Sequence, residues 1–249
     1  MRNRGDGGTW RQRGPRLLIG IARHPDEVRA AQRLRHRVFA DEMGARLSAA
    51  SDGLDVDPFD DRCDHLLLRE RDTGTVVGTA RLLPAARAGQ GGFYSASEFS
   101  LGRLAELPGL VEMGRTCIDV RYRTGVALST LLAGIAAYVR AGAHQHVMGC
   151  ASIPVGEAIG PAARLCARIL REHGSPALLR AAPHRPFAVL TGGGAEAPVP
   201  TLLRAYLRMG AYVCAEPAWD GDFRTADLLV VLPVKRLAQR YAQRLLRAA

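Results

Sequence analysis

The chain has 249 residues, of which 47% are hydrophobic and 23% charged, a composition that excludes disorder throughout. It contains no long apolar run, so no membrane-spanning helix is predicted. Its formal net charge is +10, carried mostly by arginine, which predicts an anionic partner such as nucleic acid, anionic lipid or an acidic protein. GC-rich coding would produce the same excess of arginine, so charge alone does not decide between these classes.

The predicted elements alternate between strand and helix around a mostly buried sheet, which is typical of an α/β or α+β domain. Residues 1–15 read as a basic flexible tail, 16–233 as one folded domain and 234–249 as a basic amphipathic helix. In chain order the main elements are a strand at 16–22, a helix at 24–43 capped by Asp26, an acidic loop at 51–64, a hairpin at 65–84, a strand at 110–118, a helix at 124–142, a strand at 144–153, a helix at 154–174 and a linker candidate at 191–200.

The five cysteines are odd in number, widely spaced and free of any CxxC pair. They therefore indicate neither a disulfide framework nor a zinc site, and no metal is predicted. A reducing cytoplasm fits this usage best. Cys117 and Cys150 are interpreted as core residues, because no histidine or asparagine pattern marks either as a nucleophile.

Arginines occupy positions where the pattern predicts burial. Arg35 lies on the apolar stripe of the first helix, one turn before Phe39, and Arg81 lies in a strand that is apolar on both faces. An arginine is rarely buried without a partner, because removing it from water costs several kcal/mol. The candidate partners are Glu112, Asp57 and Asp60.

The stretch "VEMGRTCIDV" places Glu112 and Arg115 in a strand, three residues apart, with Gly114 between them. In a regular strand these two side chains would face opposite sides of the sheet. A bulge at Gly114 would turn both to one face and part the strand from its neighbour, which leaves room for an extended ligand. A buried ion-pair network that only fixes strand register is the alternative, and three arginines with three acids from separate segments favour a functional site.

The next stretch, "RYRTGVAL", places Thr124, Gly125 and Ala127 at a strand-to-helix junction, close behind Arg121 and Arg123. Free N–H groups and the helix dipole attract phosphate at such a junction. An ordinary helix start with Thr124 as its cap explains the same residues, so both interpretations stay open.

Taken together, the motifs resemble a known family. Six stretches follow one another in the order seen in the ornithine-lipid N-acyltransferases, which are hemolysin-like acyltransferases of the GNAT type. They are "RLRHRVFADEMGA", "DPFDDRCDHLLL", "VVGTARLLP", "GGFYSASEFSL", "VEMGRTCIDVRYR" and "HVMGCASI". The resemblance covers roughly residues 16–233. It implies a GNAT-type fold, with a mixed central sheet whose middle strands are splayed and which is flanked by helices.

A more distant similarity is to the acyl-homoserine lactone synthases, which share this fold. The residues that match their pattern are Arg35, Phe39, Asp57, Asp60, Arg81, Glu112 and Arg115. Both families take the acyl group from acyl carrier protein, so the resemblance implies an acyl-carrier-protein thioester as donor and no resident cofactor. Tyr122 stands where coenzyme A-binding loops have Gln or Arg, which favours the carrier protein, while acyl-coenzyme A stays open.

The resemblance implies transfer of a 3-hydroxyacyl group to the α-amine of an amino acid, ornithine by analogy. Glu112 is the candidate base, and main-chain N–H groups of the splayed strand would stabilise the oxyanion. Arg115, Arg81 and Arg35 would position Glu112 and bind carboxylate or acyl hydroxyl. The amino-acid site is assigned to Asp57, Asp60, Phe39 and Ser152, with the aspartates recognising a cationic substrate. The acyl-donor site is assigned to Arg121, Arg123, Thr124, Gly125 and Ala127.

The basic surface then suits an acidic carrier protein and, through the terminal helix, peripheral contact with an anionic membrane on its cytoplasmic side. Packing of that helix on the domain is the alternative. Three rival functions stay open: a lactone synthase using S-adenosylmethionine, an acetyl-coenzyme A enzyme, and an arginine-rich nucleic-acid binder. The last is disfavoured, because nothing in the sequence resembles a recognition helix and several arginines lie in strands.

Overall fold

The computed structural model describes residues 17–47, 50–51 and 53–237. The tail predicted at 1–15 and most of the helix predicted at 234–249 lie outside these residues. Within the described part of the chain, no helix combines the length and apolarity needed to cross a membrane.

A mixed sheet of eight strands organises the described part of the chain. The strands are β1 (Leu17–Ile21), β2 (Asp64–Glu70), β3 (Val76–Pro84), β4 (Leu110–Ile118), β5 (His146–Pro154), β6 (Tyr212–Val213), β7 (Ala218–Asp220) and β8 (Thr225–Pro233). Their spatial order is β1-β2-β3-β4-β5-β8-β6, and β7 also pairs with β8. All neighbours are antiparallel except β4 and β5, which are parallel. Two further pairs of very short strands are Ala50–Ser51 with Leu54–Asp55 and Phe99–Ser100 with Ala182–Pro183.

The helices are α1 (Pro25–His36), α2 (Ala85–Ala88), α3 (Gly125–Ala141), α4 (Ile159–His173) and α5 (Thr201–Met209). A π-helical segment, Arg37–Glu42, continues α1 and completes the helix predicted at 24–43. The cap of α1 differs from the prediction. His24 precedes the helix, Asp26 lies in its first turn, and the Glu27 carboxylate accepts the N–H group of Arg23 at 2.6 Å.

Helices cover both faces of the sheet because side chains of successive strand residues point to opposite sides. In β2, Leu66 and Leu68 pack with Leu131 of α3 in one core cluster, whereas Leu67 packs with Leu34 of α1 in another. The predicted sheet flanked by helices is therefore confirmed. The linker candidate at 191–200 forms no regular element and packs along α4, where the Ala197 N–H group donates to the Pro161 carbonyl at 3.0 Å.

The two middle strands part as the sequence predicts. Pairing of β4 with β5 covers only Leu110 to Glu112 against His146 to Met148 and then stops. Where the two backbones last approach, a Cβ on Gly149 would lie 2.2 Å from the Met113 carbonyl oxygen, so only glycine fits without a backbone shift.

A bulge in β4 accompanies the parting. Thr79 pairs with Cys117 and Arg81 with Gly114, so two residues of β4, Arg115 and Thr116, stand opposite Ala80 alone. Arg115 has a φ of 50°, a left-handed conformation that a residue with a side chain rarely adopts. The predicted bulge is thus present directly after Gly114, and it turns Glu112 and Arg115 toward the same cavity.

Candidate active site

A cavity of about 600 Å³ opens where β4 and β5 separate. Its walls come from these two strands, β3, the segment at 94–95, the ends of β7 and β8, the π-helical segment after α1, the start of α3 and part of α5. The cavity is lined by the predicted site residues Phe39, Arg81, Glu112, Arg115, Arg123, Thr124, Gly125 and Ser152. The predicted residues that do not line it are Arg35, Asp57, Asp60, Arg121 and Ala127.

Glu112 is 4% exposed and holds the segment that follows α2. Its Oε1 accepts the Ser95 N–H at 2.7 Å and the Ser95 hydroxyl at 2.6 Å, and its Oε2 accepts the Tyr94 N–H at 2.7 Å. Burial raises the pKa of Glu112, and these hydrogen bonds oppose the rise. A carboxylate offers about four acceptor positions, and the described residues fill three of them, which leaves one on Oε2 for a proton or a water.

Behind the cavity lies a network of buried arginine and aspartate side chains. Arg35, 0% exposed, donates from Nη1 and Nη2 to the two carboxylate oxygens of Asp60, each at 2.9 Å, and from Nε to Asp55 at 2.7 Å. Arg81 pairs with Asp57 at 2.9 Å and with Asp60 at 3.1 Å. Burial alone would raise the pKa of Asp60, but the neighbouring guanidinium groups outweigh it and hold that pKa well below its usual range.

Arg115 connects this network to the cavity. Its guanidinium donates to Asp55 at 3.1 Å and to Asp57 at 3.0 Å. The guanidinium carbon also lies 4.9 Å from the ring centre of Tyr94 and 5.6 Å from that of Phe223. Burial would lower the pKa of Arg115, but its acidic and phenolic neighbours raise it, so the side chain stays charged. Arg115 is therefore a fixed cation in the cavity wall.

The network revises the role given to two aspartates. Asp57 and Asp60 were expected to recognise a cationic substrate, but arginines already occupy both carboxylates, and neither residue lines the cavity. Arg35 is paired with Asp55 and Asp60 and lies too deep to touch a ligand. Sequence reasoning missed Asp55, although the acidic loop that contains it was identified.

A second set of acids lies at the β7–β8 side of the cavity. Asp227 is 4% exposed, faces Ser152 across the β5–β8 pair and accepts the Thr225 hydroxyl at 2.7 Å. Both carboxylate oxygens of Glu98 are buried and accept no hydrogen bond within the described part of the chain. Burial, then the charges of Asp227 and Asp220, raise the pKa of Glu98 to about 9.

The pKa of Asp227 is raised as well, first by burial. One ligand atom each from Glu98, Asp227 and Cys150 lies within 4.8 Å of the others, a spacing that admits a cation. Sequence reasoning missed these acids, although Asp227 carries the signal that identified Arg81, an ionisable residue inside an apolar strand.

Cys117 and Cys150 were expected to be core residues, but both line the cavity, and Cys150 is only half-buried. All five are free thiols. Burial raises the pKa of Cys63 to about 11 and that of Cys117 to about 12, and it lifts that of Cys150 well above its ordinary value. None of these three carries the thiolate that a covalent acyl-enzyme would need at neutral pH.

The start of α3 forms the mouth of the cavity. The Thr124 hydroxyl accepts the Ala127 N–H at 3.2 Å, so Thr124 caps the helix, and Ala127 itself is fully buried. Arg123 donates to Glu42 at 2.8 Å beside the mouth. Arg121 pairs with Asp119 at 2.9 Å, outside the cavity lining, with 70% of its side chain exposed.

A second cavity of about 460 Å³ adjoins the first and is mostly apolar. The two cavities share Met113, Cys150 and Tyr206 as walls. The first turn of the terminal helix, at 234–237, contributes Val234 and Leu237 to the second cavity, so this turn packs on the domain.

Comparison with known proteins identifies relatives of this arrangement. A family profile described as an acetyltransferase (GNAT) domain matches residues 34–133. The L-ornithine N(alpha)-acyltransferase of Agrobacterium fabrum (strain C58) is 36% identical over 247 residues, covering 90% of this chain and 83% of its relative. The protein of the same name from Rhizobium meliloti (strain 1021) is 35% identical, with 90% and 82% covered.

Solved structures share the fold at lower identity. FeeM, an N-acyl amino acid synthase from uncultured soil microbes, superposes with a TM-score of 0.55 at 14% identity, covering 91% of this chain and 96% of that one. The acyl-homoserine lactone synthase LasI superposes with a TM-score of 0.53 at 12% identity, covering 89% and 91%. The predicted GNAT-type fold is confirmed.

Proposed function

Because the chain belongs to the family of the L-ornithine N(alpha)-acyltransferases, we propose that it transfers an acyl group from a thioester donor to the α-amine of L-ornithine. The observation that carries the proposal is the cavity between the parted strands, where Glu112, Arg115 and the unpaired edge of β4 meet. The products are an Nα-acylated ornithine and the free thiol of the donor.

The reaction begins when the α-ammonium group of ornithine loses a proton. An α-ammonium group cannot attack, so Glu112 accepts its proton through a water held at the free position of Oε2. The amine nitrogen then bonds to the thioester carbonyl carbon, whose oxygen becomes an oxyanion. Main-chain N–H groups of β4 beyond its last pairing with β5 are available to stabilise that charge.

Collapse of the tetrahedral intermediate completes the transfer. The carbon–sulfur bond breaks, the thiolate takes up a proton, and the nitrogen gives up its second proton to leave a neutral amide. Arg115, held by Asp55 and Asp57, supplies a fixed positive charge for the α-carboxylate of the amino acid or the 3-hydroxyl of the acyl group. Arg35 acts only by positioning Asp55, one of the two aspartates that hold Arg115.

The donor in this proposal is an acyl carrier protein. Val120 and Val126 are 61% and 66% exposed beside the mouth, with Arg121 and Arg123 next to them. An apolar pair framed by arginines suits a small acidic protein. The donor's phosphodiester would then lie at the start of α3 and its extended arm along β4. Acyl-coenzyme A is the second donor to assay.

The second cavity is the proposed place for the acyl chain. It is apolar, and it meets the first cavity at Met113, Cys150 and Tyr206, close to the point where the thioester would react. An apolar chain gains about 0.8 kcal/mol for each methylene that it buries there. Peripheral contact with an anionic membrane, on the cytoplasmic side, remains a prediction that rests on the net charge of +10.

Mass spectrometry of lipids tests the function in cells that make no acylated ornithine of their own. We expect cells expressing the chain to contain a new amide of ornithine with a 3-hydroxyacyl group. Glu112→Gln should lower its amount by about 100-fold, because general base catalysis typically contributes about 10²- to 10⁴-fold. Glu106→Gln, a change at an exposed acid, should leave the amount unchanged.

Two results would count against this account. No new ornithine amide in cells with the unaltered chain would reject the function. Near-normal amounts from Glu112→Gln would reject only the base role of Glu112.

A further inference from the structure

The cavity is chemically asymmetric. At one side Arg115 and Arg81 are paired with aspartates of the buried network. At the other side Asp227 lines the wall, with Glu98 behind it. The nearby charges that raise the pKa values of these two groups come from other acids. The arginines of the network do not pair with Glu98 or Asp227, because they are bound to the other three aspartates, Asp55, Asp57 and Asp60.

Two buried carboxylates side by side are costly unless they share a proton or meet a cation. Without a shared proton neither can donate a hydrogen bond to the other, and both oxygens of Glu98 are left without a partner within the described residues. A pair that shares one proton carries one negative charge, which an incoming cation of single charge would neutralise. Ionisable groups perturbed in this way cluster at functional sites, and a cationic group that arrives here would relieve the repulsion.

We infer that Asp227, backed by Glu98, binds the side-chain δ-ammonium of the acceptor amino acid, an inference that rests on the proposed function. Asp227 makes the contact, since it lines the cavity, and Glu98 lies behind it as the carboxyl group with which Asp227 shares a proton. Ser152, opposite Asp227 in the sheet, lies in the same stretch of the wall. The recognition of a cationic side chain thereby moves from the acidic loop to strand β8.

A short chain of contacts links the two carboxylate groups. Between Glu112 and the Glu98–Asp227 pair stand Ser95 and Cys150. The Ser95 hydroxyl lies 2.6 Å from the Glu112 carboxylate and 3.5 Å from the Cys150 sulfur, and that sulfur lies within 4.8 Å of the pair. An amino acid with its α-nitrogen near Glu112 can therefore reach Asp227 with an amine at the end of its side chain. A neutral side chain of the same length would leave Asp227 buried without a cation.

Substrate selectivity tests the inference. The full-length protein is assayed with one acyl-carrier-protein donor, and kcat/KM is measured for L-ornithine and for L-norvaline, which lacks the δ-amine. We expect Asp227→Asn to reduce the preference for ornithine by about 10- to 100-fold, the range for a lost hydrogen bond to a charged group. The kcat/KM for norvaline should change little, because norvaline makes no contact with the missing charge.

Two further variants sharpen the comparison. Glu98→Gln should reduce the preference by a smaller factor, because it changes only the group behind Asp227 and leaves the contact itself in place. Asp222→Asn should keep the wild-type preference, since Asp222 is 62% exposed and bridges to Arg46. Thermal unfolding of each variant shows that it is folded, and calorimetry of ornithine binding provides a readout that does not require turnover.

The outcomes separate this inference from the function on which it rests. If the wild-type chain acylates neither amino acid, the proposed function fails and the inference falls with it. If it acylates ornithine but Asp227→Asn keeps the same preference, or loses both activities equally, the inference alone is overturned. A divalent metal that copurifies with the wild type, is required for activity and is absent from Asp227→Asn would also overturn it, in favour of a metal site.

Discussion

Replacing Glu98 by glutamine should make folding stability less sensitive to pH. In the folded protein the pKa of Glu98 is raised to about 9 from an ordinary value of 4.5, so at neutral pH the native state keeps a proton that the unfolded state releases. The unfolded state then binds fewer protons, and the free energy of unfolding falls as pH rises between these two values. One such proton corresponds to about 1.4 kcal/mol for each pH unit.

Between pH 5.5 and pH 7.5 this one group accounts for about 3 kcal/mol of lost stability. Urea unfolding at several pH values measures the loss in the wild type and in Glu98→Gln, which has the same shape and no charge. The variant should lose less stability over this range and should exceed the wild type most at the higher pH. Glu106→Gln should follow the wild type. If the two curves for the wild type and Glu98→Gln run parallel, Glu98 does not retain its proton, and the buried acidic pair is not the strained site described above.

Three further predictions concern the framework of the cavity. Gly149→Ala should lower stability by about 1–3 kcal/mol and reduce turnover, because its Cβ collides with a carbonyl where the strands part. Gly156→Ala has open space around its Cβ and should keep both stability and turnover, so equal melting temperatures of the two variants would contradict this prediction. Arg35→Ala should cost about 3–5 kcal/mol in chemical unfolding, because it removes one of the buried arginines that neutralise Asp55 and Asp60. A loss no larger than that of the exposed Arg33→Ala would refute the network. Cys117→Ala should retain turnover in a steady-state assay, since the thiol keeps its proton, and inactivity of a folded variant would reopen covalent catalysis.

Much of the fold follows from local patterns. The strand at 110–118 and the helix at 124–142 were predicted to within one residue, because apolar runs and turn residues delimit them clearly. The bulge could be anticipated because Glu112 and Arg115 lie on opposite faces of any regular strand, and an ionisable pair in a buried strand has to be turned toward a partner.

Partner choice was harder to predict than burial. The sequence shows that Arg35 and Arg81 are buried, and both are. It does not show which acids they meet, because the acidic loop offers several carboxylates within a few residues and only the folded loop decides among them. Asp55 was therefore missed, and Asp57 and Asp60 were assigned to the substrate although they are bound to arginines.

The acidic group at β8 depends on contacts between distant segments. Glu98 and Asp227 are separated by most of the domain in sequence, and their proximity arises only when β8 pairs with β5 beside the segment that Glu112 holds. Asp227 alone could have been selected, since it interrupts the apolar run of its strand. Its pairing with Glu98 could not.

Single-turnover transfer with purified components tests the central claim most directly. The chain is mixed with 3-hydroxyacyl acyl carrier protein and with ornithine whose α-nitrogen carries a heavy isotope, and the product is fragmented in a mass spectrometer. The account predicts an amide at the labelled nitrogen, one free carrier thiol for each amide formed, and no acyl group left on the protein. An amide at the δ-nitrogen, or an acylated protein that forms before the product, would contradict direct transfer in the cavity between β4 and β5.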